Sequence, residues 1–257
     1  MKPSILIPFA ALVLGSLLSV NPAAPEPAWE LSAAELPAET SSKFTVKIVE
    51  AHMNVSPFTS IHSDVVATMR YVPSDRYRIE AEGPERIISA IDVRVEKGVL
   101  RITTSKKNLK MRRGERLNLT VYGRELKAIR LDGVGSFKCS ERLEAPLLEV
   151  FNTGVGSINI DDLQCNEVVV KNEGVGTITL KGQTGKASIA SDGVGSIYAY
   201  DLQSCNTIVH LNGVGSVQCH ASESGEFINN GVGSILYKGR PETLSVHKNG
   251  IGSISAR

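Results

Sequence analysis

The 257-residue sequence is poor in aromatic residues, cysteine and net charge, and it contains a single long apolar run. Only 5% of its residues are aromatic, four are cysteine, and the formal net charge is +1. With 42% hydrophobic and 21% charged residues, the composition excludes a disordered chain, a collagen-like chain and a polytopic membrane protein. No segment keeps a 3.6-residue apolar period over about 11 residues, so no long helix is predicted.

The apolar run lies at the N-terminus and predicts export. Lys2 precedes the apolar residues 5–20, and the small residues Ala23 and Ala24 follow. A membrane span needs about 20 residues, so the run is typical of a secretory signal peptide over residues 1–24, with an uncleaved anchor as the alternative. Residues 25–42, rich in Pro, Ala and Glu, are predicted to be a flexible linker. The mature chain is expected to have no membrane span and to be periplasmic, secreted or at the surface of a bacterial cell.

An internal repeat occupies residues 124–257. The motif Gly-Val-Gly-Ser, or a close variant, starts seven times at intervals of 18–21 residues. Apolar residues stand four positions before the first glycine and one, four and six positions after it. Positions four and six lie two apart, so they share one face of a β-strand. The glycines predicted to form the corners are Gly133, Gly135, Gly154, Gly156, Gly174, Gly176, Gly193, Gly195, Gly213, Gly215, Gly231, Gly233, Gly250 and Gly252.

The repeat predicts an all-β chain with a right-handed parallel β-helix of about seven coils. One repeat fits one coil, and each strand would pair with the same strand of the next coil about 4.8 Å away. Right-handed winding follows from the general preference of parallel crossovers. The two glycines of each corner are expected to flank an inward-facing Val or Ile, because glycine accepts positive φ and lets corners stack closely.

Residues 43–123 are predicted to be a β-rich N-terminal cap or first coils, so that 43–257 form one structural unit. Residues 91–102 alternate on both sides of Lys97-Gly98, which indicates a β-hairpin. The N-terminal part is expected to cover one end of the rod, whose sheet edge would otherwise be free to pair with other chains. End-to-end self-association through the C-terminal coil is a hypothesis for the other end.

These features resemble the putative auto-transporter adhesin family with the head GIN domain. The resemblance rests on the seven Gly-x-Gly corners, on the hairpin residues 95–102 and on Tyr237-Lys-Gly-Arg-Pro241, and it covers roughly residues 44–257. It implies an exported, right-handed β-helical protein without an established activity. The corners here read Gly-Val-Gly-Ser, whereas the family often has Ser-Gly-Ser-Gly. The chain has no room for a translocator barrel, so the auto-transporter function is not carried over.

A basic run is the most suggestive binding feature. Its members are Lys106, Lys107, Lys110, Arg112, Arg113 and Arg116. With Glu115 they give +5 in eleven residues, whereas the rest of 43–257 holds 21 basic and 22 acidic residues. Such a segment could bind an anionic envelope polymer or lipid headgroups, and the alternative is a solvated loop. No aromatic residues interleave with the run and export removes the opportunity, so nucleic acid is not an expected partner.

Two carboxylates are the only candidates for catalysis. Glu173 and Asp192 fall in one column on adjacent coils, about 5 Å apart by the coil spacing. That separation would suit a retaining glycosidase or a cation site, but Asp is also common at corners for turn reasons alone. No His or Arg completes a catalytic constellation in the sequence pattern.

The cysteines and histidines predict no disulfide, no metal site and no cofactor. Cys139 and Cys219 share an inward column about 19 Å apart by the coil spacing, and Cys165 and Cys205 are expected to match each other two coils apart. A disulfide needs Cα atoms within about 7 Å. His210 and His247 share an outward column on either side of Ile228, and no Cys or His spacing suits zinc.

The sequence therefore favours a non-catalytic exported β-helical domain that recognises a surface ligand or mediates adhesion at the cell envelope. A polysaccharide-processing β-helix enzyme and a structural or assembly subunit are the alternatives.

Overall fold

The structure, a computed structural model, describes residues 30–32, 47–105 and 109–257. The predicted signal peptide lies outside these ranges. The N-terminal elements are β1 (Glu30–Ser32), β2 (Ile48–Asn54), β3 (Ser60–Ser63), β4 (Val66–Pro73), β5 (Arg78–Pro84), α1 (Glu85–Ile88), β6 (Ile91–Glu96), β7 (Val99–Thr104), β8 (Asn118–Gly123) and β9 (Ala128–Leu131). The repeat contains β10 (Val134–Asn152), β11 (Val155–Asn172), β12 (Val175–Ser191), β13 (Val194–Tyr198), β14 (Leu202–Leu211), β15 (Val214–His220), β16 (Ser224–Asn229), β17 (Val232–Lys238), β18 (Thr243–Lys248) and β19 (Ile251–Ala256).

The repeat strands stack in parallel as the sequence predicts, in a β-solenoid of about six turns. Val134 of β10 pairs with Val155 of β11, and Val155 pairs with Val175 of β12, so each motif lies over the next. From β13 onward each coil is split into two strands, and the chain of pairs β13–β15–β17–β19 continues the corner face. The pairs β12–β14–β16–β18 continue the other face.

The core of the solenoid is built from three of the four apolar columns found in the sequence. The column four residues before the first glycine is buried from Ile129 to Phe227. The column four residues after the first glycine is fully buried from Phe137 to Ile235. The column six residues after it is buried from Cys139 to Cys219. Burying one such aliphatic side chain contributes about 1.5–3 kcal/mol, so the stacked columns are the main source of stability.

The apolar column between the two corner glycines points outward, which corrects the expectation of inward-facing residues. Val134, Val155, Val175, Val194, Val214 and Val232 are 47–50% exposed. Strand alternation runs unbroken through the corner, so the glycines take the inward places and the valine between them faces solvent. The prediction failed because it assumed that an apolar residue must be buried, and that rule holds in one direction only.

The corner glycines are required by close stacking of the backbones. A Cβ added at Gly195 would lie 1.8 Å from the carbonyl oxygen of Gly176 in the preceding coil. Gly195 also has φ of +135°, a conformation that residues with a side chain rarely adopt. The same contact recurs from coil to coil, so each corner rests on the backbone of the one before it.

The N-terminal part continues the stack and adds antiparallel strands. β4 pairs in parallel with β10, so that Val66 lies beside Val134 and Ala67 lies beside Gly135. β5 runs antiparallel between β2 and β8. β6 and β7 form the predicted hairpin, whose turn residues Lys97 and Gly98 both have positive φ.

One strand falls within the segment predicted as a flexible linker. β1 pairs antiparallel with β2, with Glu30 opposite His52 and Ser32 opposite Glu50. Backbone pairing needs no apolar side chains, so an edge strand such as β2 can order a short polar segment.

The coil of β18 and β19 lies at the far end of the stack. Val246 occupies the inward column four residues before the first glycine, where its counterpart Phe227 is fully buried, yet Val246 is exposed. Leu244 on the same strand is exposed as well. End-to-end pairing through this coil stays a prediction.

Candidate functional site

The described part of the basic run, residues 109–116, is an ordered loop between β7 and β8. Leu109 and Met111 are partly buried and pack against the hydrophobic core. Gly114 has φ of +88°, and the Glu115 N–H donates to the carbonyl oxygen of Arg112 at 3.1 Å, which closes a tight turn. The loop is therefore held by its own apolar residues and by a turn, while its basic side chains face solvent. Lys106 and Lys107 lie outside the described residues.

Glu115, the single acidic residue of the run, fastens the loop to α1. Its side chain is only 3% exposed. Arg86 of α1 donates to it from Nε at 3.1 Å and also from Nη2, and the Arg112 N–H donates to its Oε2 at 2.7 Å. Burial alone would raise the pKa of this carboxyl group, but the hydrogen bonds from Arg112 and Arg86 hold the pKa below its usual range. Arg86 also donates from Nη2 to the carbonyl oxygen of Lys110 at 3.2 Å, which adds a second tie to the loop.

The remaining cations of the loop are available to a ligand. Lys110, Arg112, Arg113 and Arg116 are exposed. Among the residues that the structure describes, none of these four side chains takes part in an ion pair. Arginine presents planar donors that match phosphate and carboxylate groups, so this loop can bind anionic groups.

Glu173 and Asp192 lie on adjacent coils, where the sequence places them, but lysine and asparagine already engage them. Lys171 Nζ lies 2.5 Å from Glu173 Oε1 and 3.8 Å from Asp192 Oδ2. Asn212 Nδ2 donates to Asp192 Oδ1 at 2.7 Å. The carboxylates hold the pKa of the Lys171 ammonium above its usual value, first through the hydrogen bond to Glu173. A general acid at neutral pH needs a carboxyl group in an apolar pocket, whereas these two side chains are 46% and 34% exposed.

A polar network on the first coils has no signature in the sequence repeat. His62 Nε2 lies 2.6 Å from Asp132 Oδ2, and Arg101 Nη1 lies 3.0 Å from His62 Nδ1. Arg130 Nε donates to Asp132 Oδ1 at 2.9 Å, and the Thr153 hydroxyl also donates to this carboxylate. Burial would raise the pKa of Asp132, but the hydrogen bonds from Thr153, His62 and Arg130 lower it.

This network arises because β3 lies between β7 and β9, which brings residues 39 to 70 positions apart into contact. Sequence reasoning missed it for that reason, since the pairing of β3 leaves no periodic pattern. Arg130 pairs with Asp132 and Arg101 pairs with Glu96, so both arginines have a carboxylate partner and the network serves to join the strands.

The described cysteines are all free. Cys139 and Cys219 lie in one inward column, and burial raises the pKa of each thiol to about 12. Cys165 and Cys205 do not match, which corrects the sequence alignment. A register shift after Ile160 pairs Cys165 with Thr184, and Thr184 pairs with Ser204, so Cys205 lies one residue further along.

His210 and His247 flank Ile228 in one column, as the sequence indicates. Within residues 30–32, 47–105 and 109–257, no group of three His, Cys, Asp or Glu residues could hold a metal ion. In the same ranges no helix is long and apolar enough to cross a membrane.

Comparisons with solved structures give the class of protein. A putative adhesin from Bacteroides fragilis has 31% sequence identity and a TM-score of 0.80, over 82% of this chain and 97% of that one. A putative lipid binding protein from Parabacteroides distasonis has 22% identity and a TM-score of 0.65, over 81% and 96% of the two chains. A putative adhesin from Parabacteroides merdae has 19% identity and a TM-score of 0.59, over 81% and 96%. The last two show the fold alone.

The chain is thus a β-solenoid of the adhesin-head class. Residues 57–241 match the family described as "Putative auto-transporter adhesin, head GIN domain", and the chain belongs to that family. Membership implies a protein that is exported or at the cell surface. Among curated proteins, no sequence matches the chain.

Proposed function

We propose that this protein is a non-catalytic, exported recognition module that binds anionic groups of the cell envelope through the basic run at 106–116. The observation that supports this proposal is the set of hydrogen bonds from Arg86 and from the Arg112 N–H to Glu115, here called the Glu115 clamp. The one carboxylate of the loop is buried and is neutralised by Arg86 of α1, so it does not compete for the exposed cations. The loop therefore combines a fixed turn with exposed positive charge, and a loop that is only solvated would not need a fixed conformation.

The ligand chemistry follows from the donors. The four described cations present guanidinium and ammonium groups, and the one carboxylate of the loop, Glu115, forms its ion pair with Arg86. Phosphate groups of lipid headgroups and carboxylate or phosphate groups of an envelope polymer both fit such donors. Binding of this kind is screened by salt, because the Debye length falls from about 30 Å at 0.01 M to about 10 Å at 0.1 M ionic strength.

The test is co-sedimentation of the full chain with isolated bacterial envelope fractions at about 50 and about 300 mM salt. We expect retention at the lower salt and its loss at the higher. The double variant Arg112→Glu, Arg113→Glu should lose at least about tenfold in retention. Lys181→Glu combined with Arg240→Glu is the matched control, since it makes the same change in net charge at exposed sites elsewhere.

The source of the anionic group is decided by parallel binding to anionic phospholipid vesicles and to a purified anionic polysaccharide. Retention that is independent of salt, or equal losses in both double variants, would contradict the proposal. Release of reducing ends or unsaturated uronate from the polysaccharide, abolished by Glu173→Ala, would instead support the enzyme alternative.

A further inference from the structure

The exposed aliphatic column is longer than the repeat itself. Val66 of β4 pairs with Val134 of β10, so the column starts one coil before the first glycine motif. Its members, here called the valine stripe, are Val66, Val134, Val155, Val175, Val194, Val214, Val232 and Ile251. Each is between 44% and 73% exposed. The stripe therefore runs the length of the stack with one aliphatic side chain per coil.

The valine stripe is a large continuous apolar patch on the surface. Eight half-exposed aliphatic residues in one line present roughly 500 Å² of apolar surface, which is within the range of the largest patch on a typical monomer. A groove of about 420 Å³ is lined by Val134, Val155, Val175 and Val194 of the stripe, by corner glycines and by residues of the column directly before them, including Asp132 and Glu173. Half of the stripe thus forms one side of a groove.

We propose that the valine stripe is a self-association face, on which a second copy of this chain packs antiparallel. The proposal goes beyond the anion-binding function and does not depend on it, because the loop at 109–116 and the stripe share no residue.

Spacing is the first argument for a second copy. The side chains of the stripe repeat at the coil spacing of about 4.8 Å, and a surface matches all of them at once only if it has the same period. Another stripe has that period. Valine loses little side-chain entropy on packing, because its branched Cβ already restricts χ1.

The charged residues beside the valine stripe determine how the second copy is oriented along the rod. The column directly before the first glycine consists of Asp132, Thr153, Glu173, Asp192, Asn212, Asn230 and Asn249. Its carboxylates are confined to the first four coils, and its last three members are asparagine. A two-fold axis across the rods sets this column against its own copy in reverse order.

Among the registers in which no carboxylates face each other, one has the longest overlap. With the two-fold axis between the coils of Val194 and Val214, Asp192 lies opposite Asn212 of the other copy and Glu173 lies opposite Asn230. Six coils overlap in this register, and the stripe residues of the two faces together bury about 750 Å², which is the size of a weak or transient interface. The interface is isologous, so it closes at a dimer.

The test is the mass of the full chain in solution by sedimentation equilibrium from about 1 to about 300 µM, with dissociation constants in the micromolar range expected for this area. Val194→Lys should weaken the dimer at least about tenfold. Leu147→Lys is the matched control, since Leu147 is 40% exposed but lies off the stripe, in a column that already contains Glu167 and Lys186. Circular dichroism verifies that each variant is folded.

Charge variants test the register. Asn212→Asp puts a carboxylate opposite Asp192 and should weaken the dimer at low salt, whereas Asn249→Asp faces Thr153 and should leave it unchanged. Equal effects of the two would overturn the antiparallel packing.

Three further results would overturn the proposal. The first is a wild-type monomer at every concentration. The second is a dimer that survives Val194→Lys but dissociates with Leu244→Lys, which would place association at the end of the rod. The third is a monomer whose stripe binds a dodecyl detergent and loses it in Val194→Lys, which would make the occupant an alkyl chain.

Discussion

The two halves of this molecule, residues 47–123 and the repeat at 124–257, build their hydrophobic cores in different ways. In the repeat, glycine corners let one backbone rest on the next, and the core consists of stacked columns of mostly aliphatic side chains. In residues 47–123, larger side chains such as Tyr71, Phe58 and Met69 fill the core, and parallel and antiparallel strands are mixed. Regular stacking thus depends on close contacts between the backbones of successive coils. The irregular part depends instead on large core side chains, and its strands run in both orientations.

The coil of β4 lies at the boundary between the two halves. It keeps the outward valine as Val66, but Val65 and Ala67 stand where the next coil has Gly133 and Gly135. Within the described residues no earlier glycine motif is paired with this corner, and β8 pairs with β4 only from Thr68 onward. The requirement for glycine is therefore a property of the stack and not of the corner alone.

The largest effect is expected from Gly195→Ala. The new Cβ would lie 1.8 Å from the Gly176 carbonyl oxygen, and φ of +135° is unfavourable as well, so the free energy of unfolding should fall by at least about 3 kcal/mol. Urea denaturation measures it. Gly114→Ala is the control, because φ is +88° there but nothing lies within 4 Å, and about 1–2 kcal/mol is expected. Similar losses in both would show that backbone strain, not stacking, dominates.

A core substitution should come next. Ile178→Ala in the repeat removes a fully buried side chain between two coils and should cost about 2–5 kcal/mol. In the N-terminal part, Tyr71→Phe removes only the hydrogen bond from the Tyr71 hydroxyl to the Gly123 carbonyl oxygen and should cost about 1 kcal/mol. Chemical denaturation of both variants compares the halves. A larger loss for Tyr71→Phe would contradict the view that the repeat core carries most of the stability.

The Glu115 clamp should make the stability of the N-terminal part depend on pH. Because the folded pKa of Glu115 is lowered, its stabilisation is complete above the ordinary value of about 4.3 and is lost as pH falls through the folded pKa. Glu115→Gln should remove about 1 kcal/mol at pH 7 and nothing once the wild-type carboxyl is protonated. Stability measured from pH 7 to pH 3 tests this, and a constant difference between variant and wild type would refute it.

The smallest effect is expected in the polar column inside the repeat. The Ser191 hydroxyl is buried and has no hydrogen-bond partner among the described residues. Ser191→Ala should therefore be neutral or stabilise by up to about 1 kcal/mol. Other coils have Leu131 and Leu211 in the same column, and Leu211 is the direct neighbour of Ser191, which agrees with this expectation. A clear loss of stability in thermal unfolding would mean that the hydroxyl contributes to folding.

Much of the fold could be predicted because the repeat constrains register directly. The spacing of the glycines aligned Val134 with Val155 and Val175, and the structure pairs these residues. The same strand alternation places the valines outward, but their apolar side chains led to the prediction that they face inward. Val66 also had a signal, since Asp64-Val-Val-Ala-Thr68 keeps the pattern of the later corners without its glycines.

The candidate site was predictable only in part. Charge alone located the basic run, but the clamp joins Arg86 and Glu115 across 29 residues without any periodic signal. A lone acidic residue within a basic run was the one available hint. The network of His62 and Asp132 could not be predicted for the same reason, because it depends on strand pairing that leaves no periodic pattern in the sequence.

The direction of the stacked hydrogen bonds has a mechanical consequence. The bonds between coils run along the rod, so tension applied to the chain at the β19 end loads them one after another, as in a zipper, and not all at once. The chain should then peel away coil by coil at modest force, and each released coil of about 19 residues would add roughly 65 Å of length. An exported head of this kind would lengthen under load in equal steps while the N-terminal part stayed folded.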